Sequence, residues 1–263
     1  MNNLNFFKSK SFSSSPLRLI LAVVLISVLQ FNSCGLNNGS DGTGKIYNSP
    51  SMCIRGNYVF LSFYSKNKDQ ESELFDLKLG ISTDNGQTWS SKIIKQKTSV
   101  NSSAYKMYTQ TLAVDPTSNY NIYVSYIDAN GILYCASSRD QGNTWTHNRI
   151  DTSSGLTVNA HALGITSNGY LYIVYHAVDN SGSKLKYAKS TDWGVSWNEI
   201  NNVDISTNAG HSPSIFIDQY NNVHVSYYQA NVNGGLKYAR LQAGSTSWSL
   251  HDVTSGDVSG PFS

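Results

Sequence analysis

Ser82 to Trp89 reads STDNGQTW, and the chain writes the same pattern again as SSRDQGNTW at 137–145 and as STDWGVSW at 190–197. A fourth, altered copy, LQAGSTSW, ends at Trp248. Trp89, Trp145, Trp197 and Trp248 recur at intervals of roughly fifty residues, the period of an architecture in which each repeat is one supersecondary unit. Apolar residues alternate into the stretch (Leu77, Leu79, Ile81) and away from it (Trp89, then Ile93 and Ile94), so it is the turn of a hairpin. Gly86 can take a positive φ without steric cost, and Asp84 can accept hydrogen bonds from N–H groups the turn leaves open. In the altered copy Ala243 replaces the aspartate and Ser245 the glycine, yet the flanking strands persist.

Outward from each turn, every repeat divides into four short strands. The first (about 49–96) gives SMCI, VFLSFY, LKLGIS and WSSKII, and the second (109–151) LAVD, IYVSYI, LYCASS and WTHNRI. The third (161–204) gives LGIT, LYIVYH, LKYAKS and WNEI, and the fourth (211–254) SIFID, VHVSYY, LKYAR and WSLHDV. Short, evenly spaced strands fit a sandwich, a barrel or a propeller. Only the propeller requires fifty-residue copies, so the expected fold is all-β, a β-propeller with about four four-stranded blades. Tyr126, Tyr175 and Tyr227, with Phe63 at the equivalent place, then read as packing between blades rather than as sugar-stacking rings.

The pattern S/T-x-D-x-G-x-T/S-W resembles the Asp-box of the sialidase-type, or BNR, repeat family of β-propellers, and the resemblance covers roughly residues 45–263. It implies that Asp84, Gly86 and Trp89, Asp140, Gly142 and Trp145, Asp192, Gly194 and Trp197, and the remnant Trp248 are structural. In that family the box closes the turn between the third and fourth strands of a blade, remote from the ligand face. The three aspartates therefore do not converge as a paired-carboxylate acid/base set of the glycosidase kind. Propellers of the family usually have six or more blades. SGPFS, near the end of the chain, resembles the NAGHSPS that leads into the fourth repeat, as though a fifth inner strand were starting. Either this is a propeller incomplete or truncated relative to six-bladed relatives, or four blades curl round with Lys45 to Asn48 patching an end.

The resemblance also implies what a sialidase site would need: three arginines that hold a carboxylate, a Tyr/Glu nucleophile pair, an Asp acid/base and an opening Arg-Ile-Pro segment. A guanidinium suits the task because its planar fork binds a carboxylate through two bonds. Asn48-Ser49-Pro50 stands where that segment would be, without the arginine. Arg55 falls on a first-repeat turn, Arg139 and Arg240 adjoin the box turns, and Arg149 lies in an outer strand, so no triad assembles at the inner-strand starts. Glu71 and Glu73 fall in a first-repeat loop and Glu199 on an outer strand, which leaves no nucleophile pair, and Lys106 alone precedes the second repeat. No catalytic residue, cofactor or metal site is assigned. The channel mouth is offered Asn159, His161, His211 and Ser212, at the starts of the third and fourth inner strands. Two histidines without a third ligand read as polar lining or a binding face rather than a metal centre.

Residues 1–33 read as a signal peptide. Lys8, Lys10 and Arg18 form a basic region, and the apolar run Leu17 to Leu29 is short for a membrane span. Ser33-Cys34-Gly35 resembles a bacterial lipobox, with Phe31 and Asn32 departing from its usual residues, and it implies lipidation at Cys34. Residues 34–45, rich in Gly, Asn and Ser, form a flexible tether, and the propeller occupies 46–263. Charge is nearly balanced, 19 Lys and Arg against 17 Asp and Glu, and with no clustered basic patch the chain lacks a nucleic-acid surface. Three cysteines are no disulfide framework, and Cys53 and Cys135 fall on different strands of different repeats, an exacting placement for a bridge. The expected protein is a cell-envelope lipoprotein, held to a membrane by its lipid and facing the periplasm or cell surface. Its sialidase-like propeller acts as a non-catalytic binding or scaffold module for a protein or glycan. The alternative is an exo-glycosidase of sialidase type acting on surface glycans.

Overall fold

The computed structural model describes residues 50–66, 74–99, 109–117, 120–231 and 234–254. The signal segment, Cys34, the tether, Lys45 to Asn48, Glu71, Glu73, Lys106 and the tail beyond Thr254 lie outside the described residues. Sixteen strands are described, and they form four antiparallel sheets, each a meander of four consecutive strands. Blade one contains β1 (Ser51–Arg55), β2 (Tyr58–Lys66), β3 (Leu74–Ser82) and β4 (Ser90–Ser99), and blade two β5 (Gln110–Val114), β6 (Ile122–Ile127), β7 (Leu133–Ser138) and β8 (Thr146–Arg149). Blade three contains β9 (Thr157–Ile165), β10 (Leu171–Asp179), β11 (Gly182–Ser190) and β12 (Glu199–Asp204), and blade four β13 (His211–Ile217), β14 (Val223–Gln229), β15 (Gly235–Leu241) and β16 (Trp248–Asp252).

Hydrophobic patterning explains the layering. In IYVSYI every residue of β6 is buried, whereas THNR of β8 is largely exposed. A middle strand meets a neighbouring sheet on both faces and an outer strand meets solvent, so apolar content falls outward. The core is accordingly three cores, one in each gap between blades. Between blades one and two, Phe60, Leu77 and Leu79 pack on Leu112, Val124 and Tyr126. In the second gap Tyr123, Leu133 and Cys135 meet Leu163, Ile173 and Tyr175, and in the third Tyr172, Val174 and Leu185 meet Ile215, Val225 and Tyr227. The inner strands succeed one another in space as β1, β5, β9 and β13, and among the described residues no contact of comparable extent joins β13 back to β1.

Cys53 and Cys135 are buried free thiols, and burial pushes Cys135 up to about 12. The third repeat begins earlier than its spacing suggests: β9 starts at Thr157, so His161 lies within the strand rather than at its beginning. Val158 pairs with Ala177 and Ala160 with His176, so a bulge at Asn159 accommodates the extra length.

Candidate functional site

Three of the four turns between third and fourth strands share one construction. In the first, Thr88 N–H and Gln87 N–H donate to Asp84 Oδ1 at 2.9 and 3.0 Å, the Thr88 hydroxyl donates to Oδ2 at 2.6 Å, and Ser82 Oγ accepts from Gly86 N–H at 2.8 Å. Asp140 is held by Thr144 N–H and hydroxyl at 2.9 and 2.7 Å, and Asp192 by those of Ser196 at 2.9 and 2.6 Å. Hydrogen bonds from the Thr88 and Thr144 side chains, then from their backbone, lower the Asp84 and Asp140 carboxyls to about 2. Gly86, Gly142 and Gly194 all have positive φ, the conformation only glycine takes freely. Trp89 and Trp145 donate their indole N–H to the carbonyls of Gly86 and Gly142, while Trp197 is buried. In the fourth turn the role of the aspartate passes to Ser245, whose hydroxyl accepts from Ser247 N–H at 3.1 Å.

These turns also join blades. Lys92 on β4 donates to Gln141 O and Asn143 Oδ1 of the second turn at 2.7 and 2.8 Å, and Asn148 on β8 donates to Gly194 O of the third at 2.7 Å. At the opposite ends of the sheets a second device recurs. Asp151, just after β8, accepts the Tyr175 hydroxyl at 2.8 Å and the Lys186 ammonium at 2.5 Å, both from blade three. Asp204, closing β12, accepts the Tyr227 hydroxyl of blade four at 2.6 Å. Between blades one and two the polarity is inverted: Lys95 lies 4.9 and 5.1 Å from the ring centres of Tyr126 and Tyr134.

The four mouth residues do not form one cluster. Asn159 is exposed on β9. His161 is buried and faces blade two, its Nδ1 3.3 Å from Thr109 Oγ1 and its Nε2 without a hydrogen-bond partner among the described residues. Burial holds this imidazole down at about 4, against a backbone contact at Ser125 that favours the charged form. His211 faces the other gap, its ring tilted by 38° against that of His176 on β10 with ring centres 4.1 Å apart. Burial, and next the charge on His211, lower His176 to about 4, and burial alone lowers His211. Ser212 follows with a positive φ of 47°, at the start of a register break between His211 and Ser214. A non-glycine residue there is strained, and such strain is tolerated where neighbours over-determine the backbone. His176 was missed in the sequence because it sits in an apolar middle strand. No group of three or more His, Cys, Asp or Glu residues among the described residues could hold a metal ion.

The arginines are dispersed. Arg55 ends β1 and donates from Nη2 to Val114 O at 3.0 Å, Arg149 donates from Nε to Asp151 O at 2.9 Å, and Arg139 lies 6.0 Å from the Trp193 ring centre. Arg240 is exposed on β15, and Glu199, at the start of β12, accepts the Tyr187 hydroxyl at 2.6 Å. No helix of the described residues is long and apolar enough to cross a membrane.

No protein-family model matches the chain, and no curated protein matches it in sequence. Solved structures do. A protein of unknown function from Dyadobacter fermentans aligns with TM-score 0.53 at 16% identity, over 75% of this chain and 61% of its own. An α-L-arabinofuranosidase from Fusarium graminearum aligns with TM-score 0.53 at 15% identity, over 78% of this chain and 65% of its own. A sialidase from Streptococcus pneumoniae aligns with TM-score 0.50 at 10% identity, over 82% and 53%. The chain thus spans less than two thirds of the length of these proteins, and at such identities the likeness is one of fold: a β-propeller.

Proposed function

We propose that the chain is a cell-envelope lipoprotein whose Asp-box repeats build a non-catalytic binding or scaffold module. One observation carries the non-catalytic reading: the described arginines do not converge, with Arg55 and Arg149 bonded to main-chain carbonyls and Arg139 beside an indole. An acidic sugar needs converging guanidiniums, and electrostatic preorganisation of that kind is usually the largest catalytic term, with about a hundredfold or more lost per missing donor. The Asp-box assignment rests on the three aspartate-centred turns, and the lipid anchor on Ser33, Cys34 and the apolar run before them. The binding face would comprise Asn159, His211 and Ser212 at the channel mouth, with a protein or glycan as ligand.

An exo-glycosidase acting on surface glycans is the second reading, favoured by glycosidases among the structures of similar fold. One assay separates the two. The purified chain, offered a fluorogenic sialoside and a fluorogenic α-L-arabinofuranoside, is expected to release no fluorophore above background. Turnover that disappears on replacing Arg55 or Glu73 overturns the binding-module reading. For the anchor, the mature protein is expected to begin at Cys34 with a mass increment of acyl chains, and an unmodified Cys34 thiol counts against it.

A further inference from the structure

The four blades carry the same positions in register, so the two ends of the series can be compared with its interior. On the face each blade turns to its successor, Leu77, Leu133 and Leu185 are at most 2% exposed, whereas Leu236, their counterpart in blade four, is 42% exposed. Ile94, Ile150 and Val203 are buried at the end of the outer strand, and their counterpart Val253 is 56% exposed. On the face each blade turns to its predecessor, Val114, Ile165 and Ile217 are buried, and Ile54 in blade one is 44% exposed. The chain therefore displays both halves of an interface that it closes three times internally: a leaving face on blade four and a receiving face on blade one.

We infer that these two faces bind each other between molecules, blade one of a second copy docking on blade four of the first. The occupant follows from continuity with the internal interfaces, because blade one is the surface among the described residues that has the receiving alternation and nothing over it. Contacts of this kind are heterologous, joining different patches, so they add copies head to tail rather than as a self-complementary pair. One residue sets the strength. Cys53, Ala113 and Gly164 are small where successive inner strands approach, and a Cβ on Gly164 would lie 2.9 Å from Ile217 Cγ1. Blade four has Phe216 at that position, half-exposed, and the counterpart of Ile217 on the receiving face is Ile54. The ring holds the second copy's β1 further out than the internal spacing, which makes the association reversible rather than permanent.

Sedimentation velocity of the full chain over a wide range of concentration tests this. The expected result is a concentration-dependent rise in sedimentation coefficient, lost in Leu236→Asp and lost in Ile54→Asp, both exposed positions at which the fold, followed by circular dichroism, is retained. The mixture of the two variants is the decisive sample: one keeps an intact receiving face and the other an intact leaving face, so together they form a one-to-one dimer that neither forms alone. A wild-type chain that stays monomeric throughout, as it would if its own residues beyond Thr254 or before Pro50 covered the faces, overturns the inference. So does self-association indifferent to both variants, or a mixture that remains monomeric.

Discussion

Asp151 shows how one carboxylate serves as a rivet. It is buried, and burial works against its charge, but hydrogen bonds from Lys186, Ser153 and Tyr175 outweigh that and hold it at about 2. Removing the carboxylate leaves a half-buried ammonium and a buried phenol without this acceptor, so Asp151→Ala is expected to lower stability by about 2–3 kcal/mol in urea titration. The pH dependence has a definite sign. The folded group titrates near 2 and an unfolded aspartate near about 3.9, so its contribution is complete above the higher value and is lost as pH falls through the lower. The wild-type acid limb should accordingly be steeper below pH of about 4 than that of the variant, as read by tryptophan fluorescence. Asp192→Ala removes the acceptor of a surface turn instead, and about 1–2 kcal/mol is expected. The turns were legible because glycine, aspartate and tryptophan stand together in eight residues. Asp151-Thr-Ser153 and Asp204-Ile-Ser206 were equally regular, but the tyrosines they hold lie 24 and 23 residues downstream on another sheet, where no local chemistry points to them.

At the scale of the strand, Gly164 decides how closely β9 and β13 approach. Any side chain there enters the space of Ile217 and Ile215, so Gly164→Val is expected to destabilise by about 1–3 kcal/mol, with the change measured in thermal midpoint and blade one unaffected. The histidines of β9 and β10 give a second expectation. His161 and His176 titrate near 4 in the folded chain and an unfolded histidine near about 6.5, so between those values the unfolded state binds more protons. Stability is complete above the upper value and declines as pH falls through the lower, by up to about 3 kcal/mol for each residue. Differential scanning calorimetry from neutral to mildly acidic pH should show the decline, and His176→Phe should shrink it. Most strands could be read from alternation. The early start of β9 could not, since Val158 is the one large apolar residue of TVNA and the bulge at Asn159 separates it from the run that begins at Ala162, and the placing of His161 at a strand start failed with it.

For the molecule as a whole, the repeat specified the blades but not the curvature that decides closure, which depends on how side chains such as Gly164 and Phe216 space the inner strands. Blades two and three are covered on both faces, whereas blades one and four expose Ile54 and Leu236. Hydrogen exchange should therefore be slowest in β6 and β10 and faster in β2 and β14, although all four are middle strands. Uniform protection would mean that the outer faces are covered. Four of the bonds between blades have their anchor on the outer strand of one blade, or just after it, and their partner in the next: Lys92, Asn148, Asp151 and Asp204, whereas Gln110 reaches back from blade two to the Ser62 carbonyl. A chain emerging from the ribosome would thus finish each docking surface before synthesising the blade that fits it. Growth can proceed from the amino end by accretion, each unit templated by its predecessor, since among the described residues no strand of a later blade pairs with an earlier one.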